Sequence, residues 1–182
     1  VYFDEFDLGA FINDANFGKL SGNLDVDGKG FTNENLDTEV KGKLSSFGFN
    51  KYNYQGVTVN GKIKDQLFEG KLLVKDENLD LDFNGLANFA IKNNKYNFTA
   101  NIKKANLKAL HLFERDSISE LSGKIIMNFQ GSNIDDAYGT FEFKDTQYVN
   151  PNKAYFFEDF KISSSFDPDR TRHISIDATG VI

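Results

Sequence analysis

The sequence predicts an all-β protein: antiparallel strands joined by short turns and carrying two short helices. Three observations point there. Most of the chain alternates apolar and charged residues one by one, as in Val57–Lys64, Phe68–Lys75 and Leu79–Gly85. Short turn signals, Asp65-Gln66 and Asp76-Glu77-Asn78, separate these runs. Helical spacing occurs in only two brief stretches. Successive side chains of a strand point to opposite faces, so alternation of this kind gives strands with one greasy and one charged face.

The chain opens with loose strand character at Tyr2, Phe6 and Leu8. Leu8, Phe11 and Ile12 then follow the i, i+3, i+4 spacing of a helical stripe, with Asp7 placed to cap it and an end near Asn16–Gly18. Leu20, Leu24 and Val26 face inward on the next strand, which Gly28-Lys29-Gly30 breaks. Leu36, Thr38, Val40, Gly42 and Leu44 form another, and Ser45–Lys51 reads as a connection. Tyr52 and Tyr54 occupy even positions, Val57 and Val59 odd ones; a parity switch beside Gly56 reads as a bulge.

After Gly85 the pattern continues through Phe89 and Ile91 to an Asn93-Asn94 hairpin, then Tyr96, Phe98, Ala100 and Ile102. Leu107, Leu110 and His111 show the second helical spacing. Later strands carry Ile125, Met127 and Phe129; Phe141 and Phe143; Tyr155, Phe157, Phe160 and Ile162 beyond a loop around Pro151; and Ile174, Ile176 and Ala178.

The sequence also echoes itself. Asp7–Phe11 resembles Asn106–Leu110, Leu20-Ser21-Gly22 resembles Leu121-Ser122-Gly123, and Val40-Lys41-Gly42 resembles Ala137-Tyr138-Gly139. Tyr52-Asn53-Tyr54 with Val57 and Val59 matches Tyr155-Phe156-Phe157 with Phe160 and Ile162. These offsets imply a repeat of roughly 100 residues in an elongated, stacked architecture. Residues 1–104 form the first repeat, with the N-terminal helix, and 105–182 a truncated second.

One-faced strands need cover for the greasy side. A second sheet, a closed barrel or a curled half-pipe would each supply it; the first two fill with side chains, the third leaves room for something else. By parity Gly42, Gly61, Gly70 and Gly85 fall on the apolar face. They permit tight bending or close approach of a ligand, or are ordinary strand glycines beside bulges.

Composition narrows the function. The net charge of −6 is spread evenly, which disfavours nucleic acid. Cysteine is absent, excluding disulfides and cysteine-based metal or redox sites. No run approaches the ~20 apolar residues a membrane helix needs. The chain starts at Val1 without Met and ends within the strand-like run His173–Ile182, so it reads as a piece of a longer protein whose signal or anchor lies elsewhere.

Candidate sites each meet an objection. Asp25–Gly30 opens like a calcium loop, but Lys29 stands where an oxygen ligand belongs and Leu36 where a bidentate Glu belongs. The Gly28-Lys29-Gly30 run has Asn33 in place of the third glycine of a dinucleotide loop. His111 and Glu114 make a helix-surface pair, and His173 is remote from them. Ser163-Ser164-Ser165 has no adjacent base, and Asn97-Phe98-Thr99, a glycosylation pattern, falls inside a strand. No catalytic constellation, metal site or cofactor is expected, and the chain is read as non-enzymatic.

The run Leu20–Phe31, with Tyr52-Asn53-Tyr54, Phe68-Glu69-Gly70-Lys71-Leu72 and the helical Asp7-Leu8-Gly9 before Leu20, resembles the AsmA-like proteins. Among them it is most similar to the TamB-type proteins of Bacteroidetes-like bacteria. The resemblance covers nearly the whole chain in its strand and glycine spacing. It implies a middle segment of a long periplasmic protein, anchored in the inner membrane by a part outside this chain. It also implies a curled sheet, a β-taco, sheltering phospholipid acyl chains, and a BamA-like outer-membrane barrel as partner.

Leu24, Val26, Val40, Val59 and Leu72 are expected to line such a lipid groove, followed by Leu81, Phe83, Phe98, Met127 and Phe141. For each, ordinary core packing is the other reading. Two further functions remain open: a structural or adhesive β-repeat of the cell surface with a closed core, and a carbohydrate-binding β-protein using exposed Tyr and Phe. The absence of Trp counts against the latter.

Overall fold

The structure, a computed structural model, describes residues 1–30, 35–88, 94–131 and 136–181. Phe31, Asn33, Phe89, Ile91, Asn93 and Ile182, used above, lie outside these residues. In chain order the elements are β1 (Tyr2–Asp7), α1 (Leu8–Ile12), β2 (Phe17–Lys29), β3 (Asp37–Phe49), β4 (Tyr52–Lys64) and β5 (Leu67–Lys75). There follow β6 (Leu79–Asn88), β7 (Asn94–Asn106), β8 (Glu120–Gly131), β9 (Tyr138–Val149), β10 (Ala154–Phe166) and β11 (Arg172–Val181).

The strands make one sheet in the order β1 to β11, each antiparallel to its neighbours in sequence. β1 and β11 are its edges, so the sheet is not closed into a barrel. Among the described residues no second sheet packs on it, and the sandwich that a closed-core domain requires is not formed. β7 pairs along its length with β6 and β8, so the sheet runs unbroken past residue 104.

The turns follow from local chemistry. Asn50 and Lys51 take φ of 49° and 65°, and Asp65 and Gln66 take 50° and 62°. Two consecutive left-handed residues give the tight turn whose twist suits a hairpin, and Asn and Asp tolerate that conformation best among residues with a side chain. Turns 50–51 and 76–78, α1 and the long connection 107–119 share what we term the near end of the sheet. Turns 65–66 and 167–171 lie at the far end.

Several expectations need correction. Ser45–Phe49 is strand, not connection. The inward set changes parity there, from Leu44 to Phe47, which hid the alternation. The matching change in β4, from Tyr54 to Val57, lies directly opposite: Leu44 pairs with Val57 and Phe47 with Tyr54. The parity switch expected beside Gly56 is therefore present, with φ of 59° at Gly56, but both strands carry it and their mutual register survives. β2 likewise runs through Lys29 rather than breaking at Gly28.

The second helix does not form. α1 does: Asp7 Oδ1 accepts from Ala10 N at 2.9 Å, and left-handed Asn13 ends the helix earlier than expected. Around Leu107 the chain starts similarly. Asn106 Oδ1 accepts from Ala109 N at 3.1 Å, and Leu110 N donates to Asn106 O at 3.0 Å. At His111, however, φ is 56°, and the segment closes as turns. The first sequence echo thus pairs a helix with a turn, and the repeat of roughly 100 residues is not evident as two like units.

The accessible surface is 11291 Å². A compact monomer of this chain's 20.5 kDa would expose about 8,900 Å². The excess is what an uncovered single layer costs in exposure. Full burial is concentrated toward the near end of the earlier strands, at Leu20, Leu24, Leu44, Tyr54, Val57, Val74 and Ala105, around Leu110.

Candidate functional site

The register places the ten groove candidates on one face of the sheet. One row across it runs Val26–Val40–Gly61–Gly70–Gly85–Phe98–Met127–Phe141–Ile162–Ile176. The next row toward the near end runs Leu24–Gly42–Val59–Leu72–Phe83–Ala100–Ile125–Phe143–Phe160–Ala178. Leu81 stands in a third row with Val57 and Val74. Their surroundings differ. Leu24 is buried in the core cluster, Val26 is 50% exposed, and the other eight are half-buried.

Two of the inward glycines are set by backbone geometry. Gly42 has φ of 157° and Gly85 φ of 141°; a Cβ there would stand 2.1 Å from Asn23 O and 2.3 Å from Asn97 O. Only glycine holds such a conformation without strain, so these positions serve the path of the strands. At Gly61 the space is taken by a neighbour: a Cβ would meet the Phe68 ring at 2.7 Å. Rings then ladder across the face, Phe68 to Phe83 at 6.2 Å and Phe83 to Phe98 at 5.0 Å between centroids. A second group joins Phe141, Phe143, Phe160 and Phe157.

Sequence reasoning passed over Phe68, Ile125, Phe143 and Phe160 as site candidates although they share this face. Parity finds the first three, and the echo of Val57 and Val59 in Phe160 and Ile162 finds the fourth. Phe160 follows a second parity switch, between Phe157 and Phe160, which pairs with one in β9 between Phe143 and Thr146.

The connection 107–119 covers the near end. Leu110 has no exposure and packs in the core cluster. Leu107 N donates to Ser119 O at 2.7 Å, and Leu112 N and Phe113 N both donate to Leu107 O. On one side Asn50 Nδ2, from the β3–β4 turn, donates to His111 O at 3.2 Å. On the other, the Phe113 ring meets Tyr148 of β9 edge-on at 6.5 Å, and the Tyr148 hydroxyl lies 3.2 Å from Asp116 Oδ2 and from Ser119 Oγ.

A polar knot closes the same end at β4. Asp76 accepts from the Tyr52 hydroxyl at 2.6 Å, from Gln55 N at 2.8 Å and from Asn78 N at 2.8 Å. Burial alone would push the Asp76 carboxyl up; the bonds from Tyr52, Asn78 and Gln55 outweigh it and hold the group below its ordinary pKa. Burial, and then the bond to Asp76, push the Tyr52 hydroxyl up.

The remaining candidates are ordinary surface chemistry. Asp25 and Asp27 point outward from β2. His111 Nδ1 lies 3.2 Å from Glu114 Oε1, exposed and on a turn rather than a helix. Ser164 Oγ is buried and donates to Ala137 O at 2.8 Å. Asn97 is exposed on β7. Outward charges pair across strands, Lys62 with Asp37 at 2.7 Å and Lys161 with Glu142 at 3.0 Å. A cleft of about 580 Å³ at β2–β5 mixes Asp25, Asp27, Glu39 and Glu69 with Lys41 and Lys62, so it presents no single charge. Among the described residues no cluster of His, Asp and Glu is arranged for a metal ion, and no helix is long and apolar enough to cross a membrane.

Comparison with family models, curated proteins and solved structures finds no match.

Proposed function

We propose that this chain is a non-enzymatic segment of a periplasmic bridge whose curled sheet shelters phospholipid acyl chains. The observation that carries this reading is the bare apolar face: a single layer of strands exposing far more surface than a compact protein of its mass. Among the described residues no second sheet lies over its half-buried Phe98, Met127 and Phe141. Each methylene taken up there gains about 0.8 kcal/mol, so a chain of lipid length binds without any polar pocket. Transfer along such a face needs no bond to be made or broken.

Curling is supported by the near-end contacts. β3 and β9 are six strand spacings apart, about 29 Å in a flat sheet at ~4.8 Å per spacing. Yet His111, bonded to the β3–β4 turn, and Phe113, against Tyr148 of β9, are two residues apart. Adjacent Cα atoms lie ~3.8 Å apart, so that step spans no more than about 7.6 Å and side chains supply the rest. A bent sheet brings the two strand ends within such reach. The paired parity switches support the repeat of roughly 100 residues: Leu44/Phe47 against Tyr54/Val57, and six strands on, Phe143/Thr146 against Phe157/Phe160.

The periplasmic location, the inner-membrane anchor outside this chain and the BamA-like barrel partner rest on the resemblance to TamB-type AsmA-like proteins. The test is mass spectrometry of the purified chain under native conditions. Copurifying phospholipid is the expected result. Lipid-free protein that also takes up none from vesicles would end this reading.

A further inference from the structure

We infer that the segment 107–113 is a built-in stopper, with Leu110 as its tip, which closes the near end of the apolar face to acyl chains. The inference rests on the lipid reading and divides that face into two halves. At the near end Leu44, Val57 and Val74 are 5%, 3% and 3% exposed, and Leu110, at 0%, packs in their cluster. A chain residue already takes the place that a methyl-terminated acyl chain would take. Toward the far end and the later strands, Val26 is 50% and Ile176 63% exposed, and Phe98, Met127 and Phe141 remain half-buried.

The stopper is built rather than draped. Its backbone is closed on itself by Leu110 N to Asn106 O, His111 N to Lys108 O and Leu112 N to Leu107 O, all between 2.9 and 3.0 Å. It is tied to both sides of the hollow, through Asn50 to the β3–β4 turn and through Tyr148 to β9. Left-handed His111 turns the chain sharply after Leu110, so the side chain goes in while Leu112 stays 57% exposed. Acyl chains therefore lie on the far-end half and stop against Leu110, and passage along the sheet is one-ended unless the Asn50 tie opens.

The test uses the full chain with vesicles of phosphatidylethanolamine and phosphatidylglycerol, the latter bearing a diazirine at the end of one acyl chain. After irradiation, labelled residues are identified by mass spectrometry. Expected are labels at Phe98, Met127 and Phe141 and none at Leu44, Val57 or Val74. In Asn50→Ala, which spares the core, and in Leu110→Ser, labels should appear at Val57 and Val74. Labelling of Val57 and Val74 in the unaltered chain as strong as at Phe98 would overturn the stopper and leave the lipid reading standing. A folded chain labelled nowhere would overturn both. If Leu110→Ser fails to fold, Asn50→Ala decides: a pattern unchanged from the parent overturns the opening of the tie.

Discussion

The Tyr52 hydroxyl donates to Asp76 Oδ1 at 2.6 Å, across the point where β4 parts from β5. Strand pairing between the two ends at Val57–Val74, beside left-handed Gly56. Beyond it the Asp76 carboxylate takes over the partnership, accepting from Gln55 N as a neighbouring strand carbonyl would. A side chain thus carries the ladder through the kink that lets Tyr54 and Val57, three residues apart, both point into the core.

That arrangement predicts an acid-sensitive contribution. Asp76 has a folded pKa below the ordinary 3.8, so its bonds stabilise the fold fully above the unfolded value and lose that effect as pH falls through the folded one. Asp76→Ala is expected to cost about 1–3 kcal/mol at pH 7, from the loss of hydrogen bonds to a charged acceptor. The gap between variant and parent should narrow in urea melts as pH drops below 4, where the parent carboxyl protonates too. An equal gap at pH 7 and well below the folded pKa would show that the charge contributes nothing.

Gly85→Ala tests the bent backbone. With φ of 141° and a clash with Asn97 O, the new Cβ forces β6 to move or to hold a conformation costing about 1–3 kcal/mol. Urea denaturation should show a loss of at least that size. A neutral outcome would mean that the strand has room to straighten and that Gly85 is not needed for its path.

How much of this was legible follows from where parity held. From Val57 to Gly85 the inward and outward sets were readable residue by residue, and the register carries them into rows across the sheet. Parity failed at Ser45–Phe49 because an extra residue there is compensated only by a partner on β4, a pairing that no local pattern reveals. It also could not show what covers the greasy face. Leu110 and Phe11 both sit in helical spacing, yet one is fully buried and the other 47% exposed. Local spacing sets the turn; what the turn meets depends on strands far away in sequence. The Tyr52–Asp76 bond was hidden for the same reason, since neither residue carries a local signal of the other.

Leu110→Ala is expected to cost about 2–5 kcal/mol, the range for emptying a fully buried leucine site. Leu112→Ala, two residues on and 57% exposed, should stay within about 0.5 kcal/mol. Equilibrium unfolding of the two variants measures this directly. Comparable losses would mean that the segment does not insert as described.

Met127 and Asn128 are neighbours on opposite faces of β8, and they separate the apolar face from mere surface acidity. Met127 pairs with Phe98 and Phe141 in the central row, half-buried; Asn128 is exposed on the charged side. Met127→Asp puts a charge among these rings, where it must stay hydrated, and an acyl chain crossing it would desolvate a carboxylate. Asn128→Asp adds the same charge a single residue away, already in water. If the face shelters acyl chains as proposed, phospholipid copurification should therefore fall sharply in the first and remain at the parent level in the second, both variants being folded by circular dichroism. Equal retention in the two would place the bound lipid away from the central row, and equal loss would point to net charge rather than to the face.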